Sequence, residues 1–282
     1  NFKKIKESIS QEMYKRPKEE NIVADITGAY LLGYNVINIR GTTTIPIEDR
    51  EKIRNSMRRL VGMEIMDEDT SSINVQFLLD ETTLNPKKIL KRMSSIALGM
   101  FNETLAGLIS TDKTNLKTLS NRDDEINRQY FLLVRLIRST MIDRRLANTF
   151  NLENIDILDY RIAANLLEIA GDTIVEIANS LINTRISKND LKKIYKFSKD
   201  IEVIHKNSID AFITNNRLLA IEAIKLHKNF QSQIIQLRSS IEHTKTISME
   251  FLDLVYLFER LARLWADISD LVKPIYKNQQ SN

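Results

Sequence analysis

Apolar residues recur through most of the chain at three- and four-residue spacing, the period of a helix buried on one face. The first 85 residues are the exception. Residues 1–20 are polar, with Lys15, Arg16, Lys18, Glu19 and Glu20 around Pro17, and read as a linker or frayed segment. Ile22, Ile26, Tyr30 and Leu31 then have helical spacing, and Gly33 is a stop. Val36 to Ile39 is a short strand closed by Gly41. Residues 47–60 predict a helix with Ile53, Met57 and Leu60 inward and Arg50, Lys52, Arg54, Arg58 and Arg59 outward, ended by Gly62. Residues 63–66 and 73–77 predict two strands joined by a polar turn. Together, residues 21–85 predict a small α/β subdomain with a short sheet.

From residue 86 the pattern is helical throughout. Asn85 is a good N-cap and Pro86 a good first helical residue. Ile89, Met93, Ile96, Met100 and Leu105 form the first seam. A second helix restarts between 111 and 115 and runs to Ala147, with Ile126, Tyr130, Leu133, Val134, Ile137 and Met141 inward. A third follows the polar stretch 148–154, with Leu158, Ile162, Leu166, Ile169, Thr173 and Ile177 inward. A second trio is predicted over 191–213, 215–242 and 246–276. The fold class is therefore mainly α: two tandem three-helix-bundle repeats, six long antiparallel helices in all, preceded by the α/β subdomain. The boundaries are 86–186 for the first repeat, 187–277 for the second and 278–282 for a tail.

Composition agrees. Between Pro86 and Pro274 there is no proline, and beyond Gly107 the only glycine is Gly171. Both residues oppose helix interiors, so their scarcity supports long helices. It also excludes a dinucleotide-binding or P-loop fold, which needs glycines after strands. There is no cysteine, which excludes disulfides and thiolate metal sites and fits a cytoplasmic protein. No apolar run approaches the roughly 20 residues that cross a bilayer, so no membrane insertion is expected. The net charge of +4 is mild. Lys188, Lys192, Lys193, Lys196 and Lys199 read as a solvated face or a dock for an acidic partner or nucleic acid. His205, His227 and His243 lack any second histidine at metal spacing or a nucleophile partner, and Trp265, Met93, Met100 and Met141 read as core. No catalytic constellation is present, so the chain is not read as an enzyme.

The third helix of each trio shares a pattern. Glu168 and Glu259 lie 91 residues apart, each after an apolar residue and each followed by a small residue and a terminal Ile, which argues for a duplicated bundle. Glu168 and Asp172 are four apart and stack on one helix face, as do Asp123 and Asn127 on the middle helix. Adjacent carboxylates repel, and a hard cation relieves the repulsion. Two readings stay open at this point: an oxygen-rich metal site, or a solvated face paired with Arg128, Arg135 or Arg161.

The three-helix repeat, the Asp-x-x-x-Asn at 123–127 and the Glu-x-x-x-Asp at 168–172 resemble the PhoU family of phosphate uptake regulators. Residues 30–37, 59–65, 121–128 and 134–135 are similar to its archaeal branch, whose members commonly carry an AbrB-type DNA-binding domain upstream. The resemblance implies a regulator of phosphate homeostasis, a homodimer, that contacts a phosphate transporter ATPase or a sensor protein. The alternative is the sensing and dimerisation part of a transcription regulator, reaching DNA only through an upstream domain. The resemblance also implies a metal ion (iron, zinc or magnesium) at Asp123, Asn127, Glu168 and Asp172. In the second repeat Arg263 stands where the first has Asp172, so one site is expected rather than two, with Arg263 paired to Glu259.

Overall fold

The computed structural model describes residues 10–14, 21–41, 43–242 and 248–273, the first of these segments by its backbone alone. The chain divides into two compact units. The first holds residues 1–86 and 127–161, the second 87–126 and 162–282. These units do not follow the repeat boundaries expected from sequence, because two long helices each contribute to both.

In the first unit, strand β1 (Ser10–Tyr14), helix α1 (Ile22–Leu31), β2 (Val36–Arg40), α2 (Ile47–Arg59), β3 (Met63–Glu68) and β4 (Ser72–Phe77) succeed one another. The sheet order is β1-β2-β4-β3. β1 is a correction to the sequence reading, which took residues 1–20 as a linker or frayed segment. It pairs parallel to β2, an edge partnership that its polar sequence does not announce. The other three strands and both helices lie where the pattern placed them. Ile37 faces Val75 and Ile39 faces Ile73 across the antiparallel β2–β4 pair, and all four are buried. Ile26 and Tyr30 from α1 and Ile53 and Met57 from α2 complete that core. The Tyr30 hydroxyl donates to the Val61 carbonyl at 2.9 Å.

Helix α4 (Leu119–Ile142) locks onto this core through a buried arginine. Arg135 donates to the carbonyls of Tyr30 (3.0 Å), Tyr34 (2.9 Å) and Gly33 (3.3 Å), and to Asn35 Oδ1 (2.5 Å). Its guanidinium lies 3.8 Å from the Phe77 ring centroid and 3.3 Å from a carboxylate oxygen of buried Glu81. One turn on, Ser139 Oγ donates to the same Glu81 oxygen at 3.0 Å. The carbonyls that Arg135 gathers belong to the last turn of α1 and the turn that follows it. Gly33 supplies the positive φ (87°) that makes this turn, a conformation other residues adopt at a cost.

The second helix of the first trio ends sooner than the sequence predicted. It stops at Ile142, and Asp143 caps a separate short helix, α5 (Arg144–Thr149), by accepting from Arg145 N. Met141, expected inward, is exposed. Helix α6 (Asn154–Ile182) is rotated from the expected seam. In the second unit its buried positions are Ala163, Ala164, Leu167, Ala170, Gly171, Thr173, Ile174, Ile177, Ala178 and Leu181; Thr173 and Ile177 are inward as expected, while Leu158, earlier on the helix, and Ile162 are exposed. Large apolar residues drew the predicted seam; the real one alternates large residues with small ones such as Ala163, Ala164, Ala170 and Gly171, which let helices approach closely.

The rest of the second unit contains α3 (Pro86–Ile109), α7 (Lys188–Thr214), α8 (Arg217–Glu242) and α9 (Met249–Asp267), with a 3-10 turn at Ile268–Leu271. The six long helices of the sequence reading are all present. α7, α8 and α9 pack on one another. α3 joins them through aromatic edges: Phe101 meets Trp265 at 5.2 Å and Phe258 at 6.2 Å between ring centroids. Phe197 from α7 meets Phe230 from α8 at 5.6 Å. His205 is buried 4.4 Å from Trp265, with Nε2 3.1 Å from Ser94 Oγ. Burial pushes its pKa down to about 3, so it is a neutral core histidine. His243 lies outside the described residues.

The buried arginine sets an expectation for stability. Arg135→Met leaves Glu81 without its arginine and takes one donor from each of three carbonyls, and should cost about 3–5 kcal/mol in urea unfolding. Adding Glu81→Gln should recover part of the loss. A single-variant loss below about 1 kcal/mol, the worth of an ordinary neutral hydrogen bond, would show that the contact holds little together.

Candidate metal centre

The charged residues of the first half of α4 are shared between two neighbours. Arg122 pairs with Glu103 of α3, and Glu125 receives a 2.8 Å hydrogen bond from Arg92 of the same helix. Asp123, between them in sequence, turns instead to α6. Helical geometry dictates this division, since successive residues point about 100° apart.

Asp123 approaches α6 at Gly171. A Cβ placed there would lie 2.6 Å from Asp123 Oδ1 and 3.0 Å from Ile126 Cδ1. No other residue leaves room for the carboxylate against this helix. Glycine costs about 1 kcal/mol relative to alanine in a helix interior. Here the missing side chain gives the carboxylate its seat.

Glu168 and Asp172 flank that seat, one turn apart on α6 and on either side of Gly171 in sequence. Asp123 shares a hydrogen bond with Asp172, and partial burial together with the charges of Asp172, Glu168 and Asp124 raises its pKa to about 7. Desolvation is the largest cause and the carboxylates add to it. Asp172 is exposed, so the cluster opens to solvent. Asn127, the fourth candidate, lies one helical turn along α4 from Asp123 and belongs to the first compact unit. Within the second unit the structure brings Asp123, Glu168 and Asp172 together.

The alternative partners for these carboxylates are engaged elsewhere in two cases. Arg135 is committed to the turn after α1, and Arg161 lies over the Tyr130 ring at 5.1 Å. The donor set is entirely oxygen. It suits a hard cation such as magnesium better than zinc or iron, which favour imidazole and thiolate. Among the described residues no three His, Cys, Asp or Glu side chains stand as a ready-made metal cage. A cation here would draw on the Asp123–Asp172 pair, Glu168 and water.

The second repeat solves the same charge problem differently. Glu259 accepts a 2.6 Å hydrogen bond from Arg238 of α8. This corrects the expected pairing with Arg263, which is exposed one turn along its own helix. A residue from a neighbouring helix, invisible to spacing within one helix, supplies the counter-charge.

The segment spanning α3, α4 and α6 has recognisable kin. Residues 90–181 match the PhoU domain family. Asp123, Asn127, Glu168 and Asp172 all fall inside the match; the small α/β subdomain and the second helical trio fall outside it. Among solved structures, PhoU from Pseudomonas aeruginosa aligns at 13% identity with a TM-score of 0.47, over 66% of this chain and 93% of that one. No curated protein sequence matches the chain. Among the described residues no helix is long and apolar enough to cross a membrane.

Sequence reasoning missed Gly171, Arg238 and the burial of Arg135. A signal existed for two of them. Gly171 is an isolated glycine inside a helical pattern, which marks close packing. Arg135 interrupts the apolar run from Leu132 to Ile137, which marks a buried charge that must be paired.

The Asp123 pKa has a defined consequence. A carboxyl whose folded pKa lies above its unfolded value near 3.8 holds its proton more tightly in the native state. Its stabilising contribution is present at low pH and is lost as pH rises from about 4 to about 7. Asp123→Asn should flatten that part of the stability–pH profile and make the protein more stable than wild type at pH 8. Thermal unfolding across this range checks it, and identical slopes for both proteins would remove the carboxylate cluster as the cause.

Proposed function

We propose that this chain is a regulator of phosphate uptake and phosphate homeostasis, acting in the cytoplasm by contact with a phosphate transporter ATPase or a sensor protein, and that it catalyses no reaction of its own. The match of residues 90–181 to the PhoU domain carries this reading. The carboxylate cluster lies in the same segment and supports a cation-dependent form of it.

Asp123, Glu168 and Asp172 would hold the cation, magnesium by their all-oxygen chemistry. When bound, it supplies positive charge among three carboxylates that repel one another. The chain's own residues do the remainder. Gly171 lets Asp123 sit against α6, and Ile126 packs beside it, so two carboxylate-bearing helices are held at close range. Exposed Asp172 leaves the cluster open on its solvent side, where a partner's groups could complete the coordination.

Two measurements test the reading. Deleting the gene from its host should raise phosphate uptake when phosphate is abundant, and restoring the chain should lower it again; unchanged uptake would count against the regulatory role. Elemental analysis of protein purified without chelator should find divalent metal, and the double variant Glu168→Ala, Asp172→Ala, with its helical circular dichroism intact, should lose it. Absence of metal from both proteins would end the cation-dependent form and leave the regulatory role untouched.

A further inference from the structure

A cleft of about 710 Å³ opens in the first unit where the last turns of α4, the short helix α5 and the first turns of α6 meet. Part of its wall is apolar. Ile137 and Met141 lie one turn apart on α4, with Ile142 beside them, and Leu158 comes from α6. Three of these side chains are unusually open: Met141 is 73%, Ile142 76% and Leu158 54% exposed. Scattered apolar residues on a surface need no explanation, but several gathered around one concavity do.

The charge of the cleft is one-sided. Arg138, Arg144 and Arg161 line it and no carboxylate does. None of the three forms an ion pair among the described residues. Arg138 donates to the Leu31 carbonyl at 3.2 Å, Arg161 lies over Tyr130, and Arg144 is exposed. Two of the acidic residues nearby in sequence are occupied: Asp143 caps α5 and pairs with Arg145, and Asp156 accepts from the backbone of Glu153.

We infer that this cleft docks an amphipathic helix of a partner protein, with its apolar face on Met141, Ile142 and Leu158 and acidic side chains against Arg138, Arg144 and Arg161. This rests on the adaptor reading, to which it adds a surface. An apolar trough edged by one sign of charge is what helix-in-groove recognition uses, and the charge sets both the sign and the orientation of the partner. The carboxylate cluster is made of other residues, in the second unit, so the two features are separable by mutation.

The test uses the full chain and a fluorescein-labelled synthetic peptide. The peptide carries leucines at helical i, i+3, i+4, i+7 spacing and glutamates elsewhere; a second peptide replaces each glutamate by lysine. Fluorescence anisotropy should show binding of the acidic peptide, weakened by salt, and little binding of the lysine peptide. Arg144→Glu and Met141→Asp, each with unchanged circular dichroism, should each weaken the acidic peptide about tenfold, equivalent to 1.4 kcal/mol. Equal binding of both peptides, no binding of the acidic one, or indifference to both substitutions would overturn the inference. So would sedimentation showing that Met141→Asp converts a dimer to a monomer, which assigns the cleft to a second copy. Binding of dodecanoate without binding of any peptide would assign it to a small amphiphile instead. Uptake in the deletion strain separates this from the adaptor reading. If Arg144→Glu protein restores regulation and the acidic peptide never binds, the cleft proposal falls alone. If wild-type chain fails to regulate uptake and the peptide binds as expected, the adaptor reading falls alone.

Discussion

A guanidinium buried among backbone carbonyls organises the first half of this protein. Taking an arginine out of water costs several kcal/mol unless its donors and charge are met in place. The two terminal nitrogens of Arg135 meet them with the carbonyls of Tyr30, Gly33 and Tyr34, the Asn35 side chain and the Glu81 carboxylate, with the face of Phe77 against the group, while its buried Nε has no hydrogen-bond partner among the described residues. Burial still works against the charge and lowers the pKa of the group. The partners come from three pieces of the small α/β subdomain: the end of α1 with the turn after it, the end of β4 and the segment before α3. One side chain on α4 thus specifies how that subdomain is held. An apolar side chain in its place would pack without telling these partners apart.

The same helix shows how a repeating period distributes work. Its second half presents Arg135 and, one turn later, Ser139 to Glu81. Its first half presents Arg122 and Glu125 to α3 and Asp123 to α6. On an isolated helix Asp123 would be a solvated carboxylate with an ordinary pKa. Against Gly171, with Glu168 and Asp172 alongside, it is partly desolvated beside two further carboxylates. The chemistry of the cluster therefore depends on packing: a small residue allows close approach, close approach removes water, and losing water makes the charges felt.

The long elements were legible in the sequence because periodicity and the scarcity of proline and glycine both report on backbone geometry. The helices, the three strands β2 to β4 and the stops at Gly33 and Gly62 followed from that. Which face of a helix turns inward was less legible. In α6 the large residues Leu158 and Ile162 suggested one seam, and Ala163, Ala164, Ala170 and Gly171 made another. Close helix contact rewards small side chains, and a hydrophobicity count gives them little weight. The break at Asp143 escaped notice because an aspartate caps a helix as readily as it decorates one. Strand β1 escaped because an edge strand can be polar, its partner being backbone rather than core. For the candidate site, spacing along one helix found both residue pairs, whereas the contacts that unite Asp123 with α6 run between helices and leave no period to read.

The two repeats carry the same glutamate with opposite consequences. Glu168 stands with Asp172 beside Asp123, and both of their charges raise the Asp123 pKa. Glu259 stands 2.6 Å from Arg238, which brings a fixed positive charge from the adjoining helix. The position corresponding to Gly171, 91 residues on, is Ala262, buried and bearing the Cβ that Gly171 lacks. So the second repeat has both filled the seat and neutralised the glutamate with its own chain. An arginine is always charged and always present, whereas a cation comes and goes with its concentration. The acidic cluster where Asp123 of α4 meets α6 thus has no counterpart at Glu259, whose charge an arginine of the adjoining helix meets.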